Sequence, residues 1–166
     1  MAKYTHKFEV RWGDIDANRH LANSSYVQYC AQARMGFMHK HKMGISQQNR
    51  WGIGAVVLHE RYSFFQEIFA DRTVYVTVEV DGVSEDGGMW RFVHKFYLPD
   101  GTHCATGEAT GVWIDTMLRK MTSPPEEIME CLKPYMTEGT KTLSKADLKE
   151  LPFRPQNISV AELLAK

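Results

Sequence analysis

The chain has 166 residues, 43% of them hydrophobic, and its 20 Lys and Arg balance 20 Asp and Glu to a formal net charge of zero. That length supports one sizeable core rather than two full domains, and the charge balance argues against a broad electrostatic footprint for nucleic acid or an anionic membrane. The widely separated Cys30, Cys104 and Cys131 suggest neither a disulfide framework nor a zinc knuckle, and no stretch reads as a signal peptide or a bilayer span, so a cytoplasmic protein is expected.

Residues 6 to 12 alternate His6, Phe8, Val10 and Trp12 against Lys7, Glu9 and Arg11, the period-two pattern of a half-buried strand. A short loop follows, and then a helix is predicted from Asn23 to about His41. Asn23, Ser24 and Ser25 favour helix caps, and Tyr26, Tyr29, Cys30, Ala33, Phe37 and Met38 recur at the spacing of one apolar face. The basic run His39-Lys40-His41-Lys42 before Gly44 suits a helix C-terminus better than a metal site. Four β-rich segments come next, at 55–67, 72–84, 88–98 and 102–117, separated by turn signals at Asp71, Glu85-Asp86-Gly87-Gly88 and Pro99-Asp100-Gly101. Connections this short predict a mainly antiparallel sheet. Ser123 as cap and Pro124 near the first position predict a second helix to about Met136. The domain is therefore placed at 1–136. Residues 137–166 read as a polar, largely mobile tail with short helical stretches near 144–151 and 160–165.

Chemistry concentrates between the first strand and the first helix, where Asp14, Asp16, His20 and Asn23 lie within ten residues. The free N–H groups and dipole of a helix start attract anionic oxygens. On residue type alone, Asp16 serves equally as a general base or as a turn former. His20 either positions water or substrate or anchors backbone; Asn23 either caps the helix or orients a ligand; Tyr26 either packs or lines a pocket. Glu60, Glu67 and Glu79 are further carboxylates, on predicted strands, with nothing in their sequence surroundings to favour them. No Walker-type or GxGxxG loop is present, which leaves nucleotide hydrolysis and dinucleotide redox chemistry without support.

The run Trp12-Gly13-Asp14-Ile15-Asp16, with His20, Asn23 and Tyr26 and then Tyr29 to Arg34, resembles the 4-hydroxybenzoyl-CoA thioesterase family. Its pattern is an aromatic, Asp-x-Asp, then Gly-His-Val-Asn-Asn-x-x-Tyr and a Glu-x-Ala-Arg-like helical turn. The likeness extends over residues 4 to 136 and includes Asp71 and Asp100-Gly101. Arg19 replaces the family's Gly, Ala22 its first Asn, and Ala31-Gln32 the region of its helix Glu.

The resemblance implies an α+β hotdog fold, a curved antiparallel sheet wrapped around a long central helix. It also implies hydrolysis of an acyl-CoA to free acid and CoA, without cofactor or metal, in a homodimer or homotetramer. Asp16 would act as general base or nucleophile, the backbone N–H near Asn23 would polarise the thioester carbonyl, and His20 would assist. Tyr26 and Asp14 would contact substrate, Asp14 also holding the loop. A carrier-protein thioester, or a non-catalytic module that holds an acyl or aryl ligand, is the alternative.

Overall fold

The computed structural model describes residues 2–164. Strand β1 (Tyr4–Glu9) leads through a turn to helix α1 (Asn23–Lys40) and the short α2 (Ile45–Trp51). Long strands β2 (Ile53–Phe64), β3 (Thr73–Ser84), β4 (Met89–Tyr97) and β5 (His103–Asp115) follow, then β6 (Lys120–Met121) and α3 (Glu126–Leu132). The chain finishes with β7 (Lys141–Leu143), α4 (Lys145–Lys149) and α5 (Val160–Leu164). The sheet runs β1-β3-β4-β5-β2, antiparallel throughout that path, with β6 added to β5 and β7 added in parallel to β3. Extra residues at Leu58 of β2, Asp81 of β3 and Cys104 of β5 interrupt the register and add local twist and bend. This curved sheet around α1 is the α+β hotdog arrangement.

The face predicted for α1 is the face it buries: Tyr26, Tyr29, Cys30, Ala33, Phe37 and Met38 are all in the core. Phe8 stacks on Tyr29 at 4.2 Å between ring centroids and Tyr4 meets Phe37 edge-on at 5.5 Å, so aromatic packing fixes β1 against the helix. The close approach depends on Gly36, where a Cβ would stand only 2.6 Å from His6 Nδ1.

Several expectations are corrected. The first strand stops at Glu9 rather than running to residue 12, because Arg11 and Asp14 close a helical turn over Trp12–Asp14, which leaves Trp12 in solvent. Gly44 does not end the helical region; it is the N-cap of α2, which stops at Gly52 in the left-handed region with φ 65°. Ser123 does not cap α3: Pro125 holds that position, and the Ser123 hydroxyl donates to Asp86 instead. Helix α3 ends at Leu132 and a 3-10 turn continues to Tyr135. His41 bonds the Tyr135 hydroxyl at 2.9 Å and packs on Phe37. Part of the segment set apart as a tail belongs to the sheet, with Leu143 buried against Gly82 and Thr140 bonded to the Val80 carbonyl. The expected short helices appear as α4, capped by Ser144, and α5, the last residue of that second stretch lying outside the described residues.

Candidate active site

Asp14 organises the loop. Arg11 grips its carboxylate through Nε at 3.1 Å and Nη2 at 3.0 Å, and the Arg11 backbone N–H and the Tyr29 hydroxyl each donate to Oδ2 at 2.9 Å. These donors, the Arg11 side chain foremost, hold its pKa down at about 2. The Asp14 carbonyl accepts from the Ser25 hydroxyl and the Ala22 N–H, lashing the loop to the start of α1. The carboxylate is buried and saturated with donors, and Asp14 lies off the cavity described below. Asp14 is thus built into the loop and does not line that cavity.

Asp16 opens a tight turn. Its Oδ1 accepts the Asn18 N–H at 2.8 Å, its carbonyl accepts from Arg19, and its own N–H bonds the His20 carbonyl. Arg19 sits in the left-handed region with φ 69°, which explains why glycine suits the family's version of this turn. The turn brings the His20 ring between two carboxylates: Nδ1 is 3.8 Å from Asp16 Oδ1 and Nε2 is 3.8 Å from Glu67 Oε1. Pairing of His20 with Phe69 and of the Leu21 N–H with the Ile68 carbonyl places the segment after β2 beside the loop.

The N-cap of α1 is Ala22, which offers no capping side chain, so the expected Asn23 cap is corrected: Asn23 is the first helical residue. The Ser25 and Tyr26 N–H groups turn back to the Ala22 carbonyl. Among the described residues the N–H groups of Asn23 and Ser24 have no partner within the chain, and both residues are exposed.

Asn23, though not Ser24, lines a cavity of about 300 Å³ together with His20, Tyr26, Phe64 and Glu67. Four of the five residues proposed from sequence, Asp16, His20, Asn23 and Tyr26, thus gather at one end of α1, although Asp16 stands behind His20 rather than on the cavity wall. Glu67, unsupported by its sequence neighbours, lies on that wall. A larger cavity of about 740 Å³ lies beside β3 and β4, but its Lys95 and Glu79 pair with each other at 2.8 Å and none of the motif residues reaches it. Among the described residues no cluster of His, Cys, Asp and Glu could hold a metal ion, and no helix is long and apolar enough to cross a membrane.

A second polar group lies inside, under α1. Arg34 Nη1 lies 3.1 Å from His94 Nε2, and His94 Nδ1 lies 2.9 Å from the Thr77 carbonyl. A guanidinium only donates and a carbonyl only accepts, so His94 is a neutral imidazole protonated on Nδ1. Burial, reinforced by Arg34, pushes its pKa down to about 3. Arg34 also approaches Glu60 at 3.4 Å. No periodicity in the sequence announces this cluster, whose members come from α1, β2, β3 and β4.

Several solved structures share this fold at low identity. A 1,4-dihydroxy-2-naphthoyl-CoA thioesterase from Synechocystis superposes with a TM-score of 0.72 at 13% identity, covering 80% of this chain and 96% of its own. A Staphylococcus aureus protein solved in complex with CoA gives 0.74 at 18%, covering 99% and 94%, and a probable thioesterase from Escherichia coli gives 0.65 at 20%, covering 81% and 99%. No curated protein matches the chain in sequence. The model of the thioesterase-like superfamily matches residues 10–132, a span that holds the loop, α1 and all four long strands. The chain belongs to the thioesterase-like superfamily, a family of thioester hydrolases, and carries its hotdog fold.

Proposed function

We propose that the cavity at the start of α1 hydrolyses an acyl-CoA thioester, with Asp16 supplying the carboxylate. The observation that carries this reading is the uncapped helix end, where the Asn23 and Ser24 N–H groups have no partner among the described residues and Asn23 lines a cavity bordered by His20. The carbonyl oxygen of the thioester sits against those N–H groups. Water attacks the carbonyl carbon while Asp16 takes its proton, and the tetrahedral oxyanion is held by N–H donors aligned with the helix dipole. Collapse breaks the C–S bond, and the departing thiolate recovers a proton from Asp16. Direct attack by Asp16 to form a mixed anhydride, which water then opens, uses the same residues. His20, between the carboxylates, orients whichever one acts.

A second reading makes Glu67 the base, because Glu67 lines the cavity whereas Asp16 stands one imidazole behind it. Coenzyme A as the thiol carrier is supported by the CoA complex of the Staphylococcus aureus protein that aligns over nearly the whole chain. Edge strand β2 leaves Val57, Leu58 and Phe64 exposed, which supports a homodimer or homotetramer in which that edge is paired. Release of free thiol from short, medium, long and aromatic acyl-CoAs tests the proposal: turnover that Asp16→Ala removes supports it. No turnover on any of them shifts the assignment to carrier-protein thioesters or to a binding module.

A further inference from the structure

Packed residues stand behind Tyr26 and Phe64. One helical turn beyond Tyr26 stands the buried Cys30, and two residues back from Phe64 on β2 stands Tyr62. Gly107 of β5 is wedged against both, since a Cβ there would lie 2.6 Å from the Tyr62 ring and 3.2 Å from Cys30 Sγ. Tyr26 itself packs edge-on to Phe64 at 4.9 Å and against Phe96 at 5.0 Å. An acyl group entering past Asn23 therefore meets Tyr26 and Phe64. At about 30 Å³ per water-sized group, the 300 Å³ on offer suits a short or single-ring acyl group.

Tyr26 is only 4% exposed, yet among the described residues its hydroxyl has no partner, and its oxygen is not sealed in the core as the indole nitrogen of Trp90 is. Tyr26 is also one of the residues that line the cavity. Burial raises its pKa to about 12, so at neutral pH the phenol keeps its proton and can donate. A donor in this position favours an acceptor oxygen on whatever fills the cavity.

We propose that Tyr26 is a specificity-determining residue, donating a hydrogen bond to an oxygen carried on the acyl group, so that the site selects short acyl groups bearing a hydroxyl or oxo oxygen over plain or long alkyl chains. This rests on the thioesterase reading above. The test compares kcat/KM for butyryl-CoA with 3-hydroxybutyryl-CoA and benzoyl-CoA with 3-hydroxybenzoyl-CoA, with decanoyl-CoA as the long chain, in wild type and Tyr26→Phe. The expected result is about a tenfold preference for the oxygenated member of at least one pair, near the upper end for one neutral hydrogen bond, with decanoyl-CoA poorer still. In Tyr26→Phe that ratio falls to within about twofold, a change that a merely structural role for Tyr26 would not produce. Equal rates within both wild-type pairs, a ratio that survives the substitution, or decanoyl-CoA as the best substrate overturns the inference. The same pairs made as ketones, with methylene in place of sulfur, read affinity by calorimetry without turnover. If the ketones show the ratio and its loss while no thioester is hydrolysed, the thioesterase reading fails and the Tyr26 assignment stands; if they show no ratio, the assignment fails.

Discussion

The buried His94 makes folding stability depend on pH, in a direction that its geometry dictates. Its pKa is about 3 in the folded chain against an ordinary value of about 6.5 when unfolded. Between those two values the unfolded chain binds a proton that the folded chain refuses, so stability is full above about pH 6.5 and falls as the pH drops toward 3. Between pH 7 and pH 5 the loss amounts to about 2 kcal/mol, approaching one full proton, or about 1.4 kcal/mol per pH unit, below pH 6. A domain with only about 5–15 kcal/mol in total registers such a loss readily. Urea unfolding at both pH values measures it. His94→Gln is the matched control, because an amide can still accept from Arg34 and donate to the Thr77 carbonyl but does not titrate. The variant is expected to lose about 2 kcal/mol less than wild type across the interval. A wild-type stability that is flat from pH 7 to 5, or an identical loss in His94→Gln, would refute the assignment of a neutral, buried imidazole.

Two further substitutions test the geometry around the site. Arg19 holds a left-handed conformation that a residue with a Cβ adopts at a penalty of about 1–2 kcal/mol, so Arg19→Gly, allowing for glycine's larger unfolded-state entropy, should raise stability by about 0.5–1 kcal/mol. Calorimetry should show a Tm higher by about 1–4 °C, and a lowered Tm would mean that the Arg19 side chain makes a compensating contact. Gly107→Ala forces a methyl to within 2.6 Å of Tyr62 and should destabilise the fold by about 1–3 kcal/mol in urea unfolding; an unchanged midpoint would show that the packing around Gly107 is not tight.

Much of the fold is legible in the sequence because its signals are local. The α1 face, the hairpin turns and the strand-rich segments each follow from spacing within a dozen residues, and the motif from Trp12 to Tyr26 points to the candidate site at a helix start. What escapes is set by pairing across the chain. Gly44 reads as a helix stop because the sequence does not distinguish a C-terminal glycine from one that begins the next helix. Strand β7 is three residues of Lys-Thr-Leu, whose identity depends on the open edge of β3 and the room that Gly82 leaves for Leu143. Ser123 has every local mark of a cap, yet Asp86, 37 residues away, claims its hydroxyl. Glu67 and the Arg34–His94 pair were equally hidden, since both acquire their neighbours only when the sheet closes around α1.

The most direct test of the central claim is a side-by-side measurement of kcat/KM for Asp16→Asn and Glu67→Gln on the acyl-CoA that wild type hydrolyses best. Loss of a general base lowers rates by about 10²–10⁴. The account predicts that fall for Asp16→Asn, with Glu67→Gln staying within about tenfold of wild type. A fall of that size in Glu67→Gln with Asp16→Asn nearly intact would contradict it and move the chemistry to the opposite side of His20.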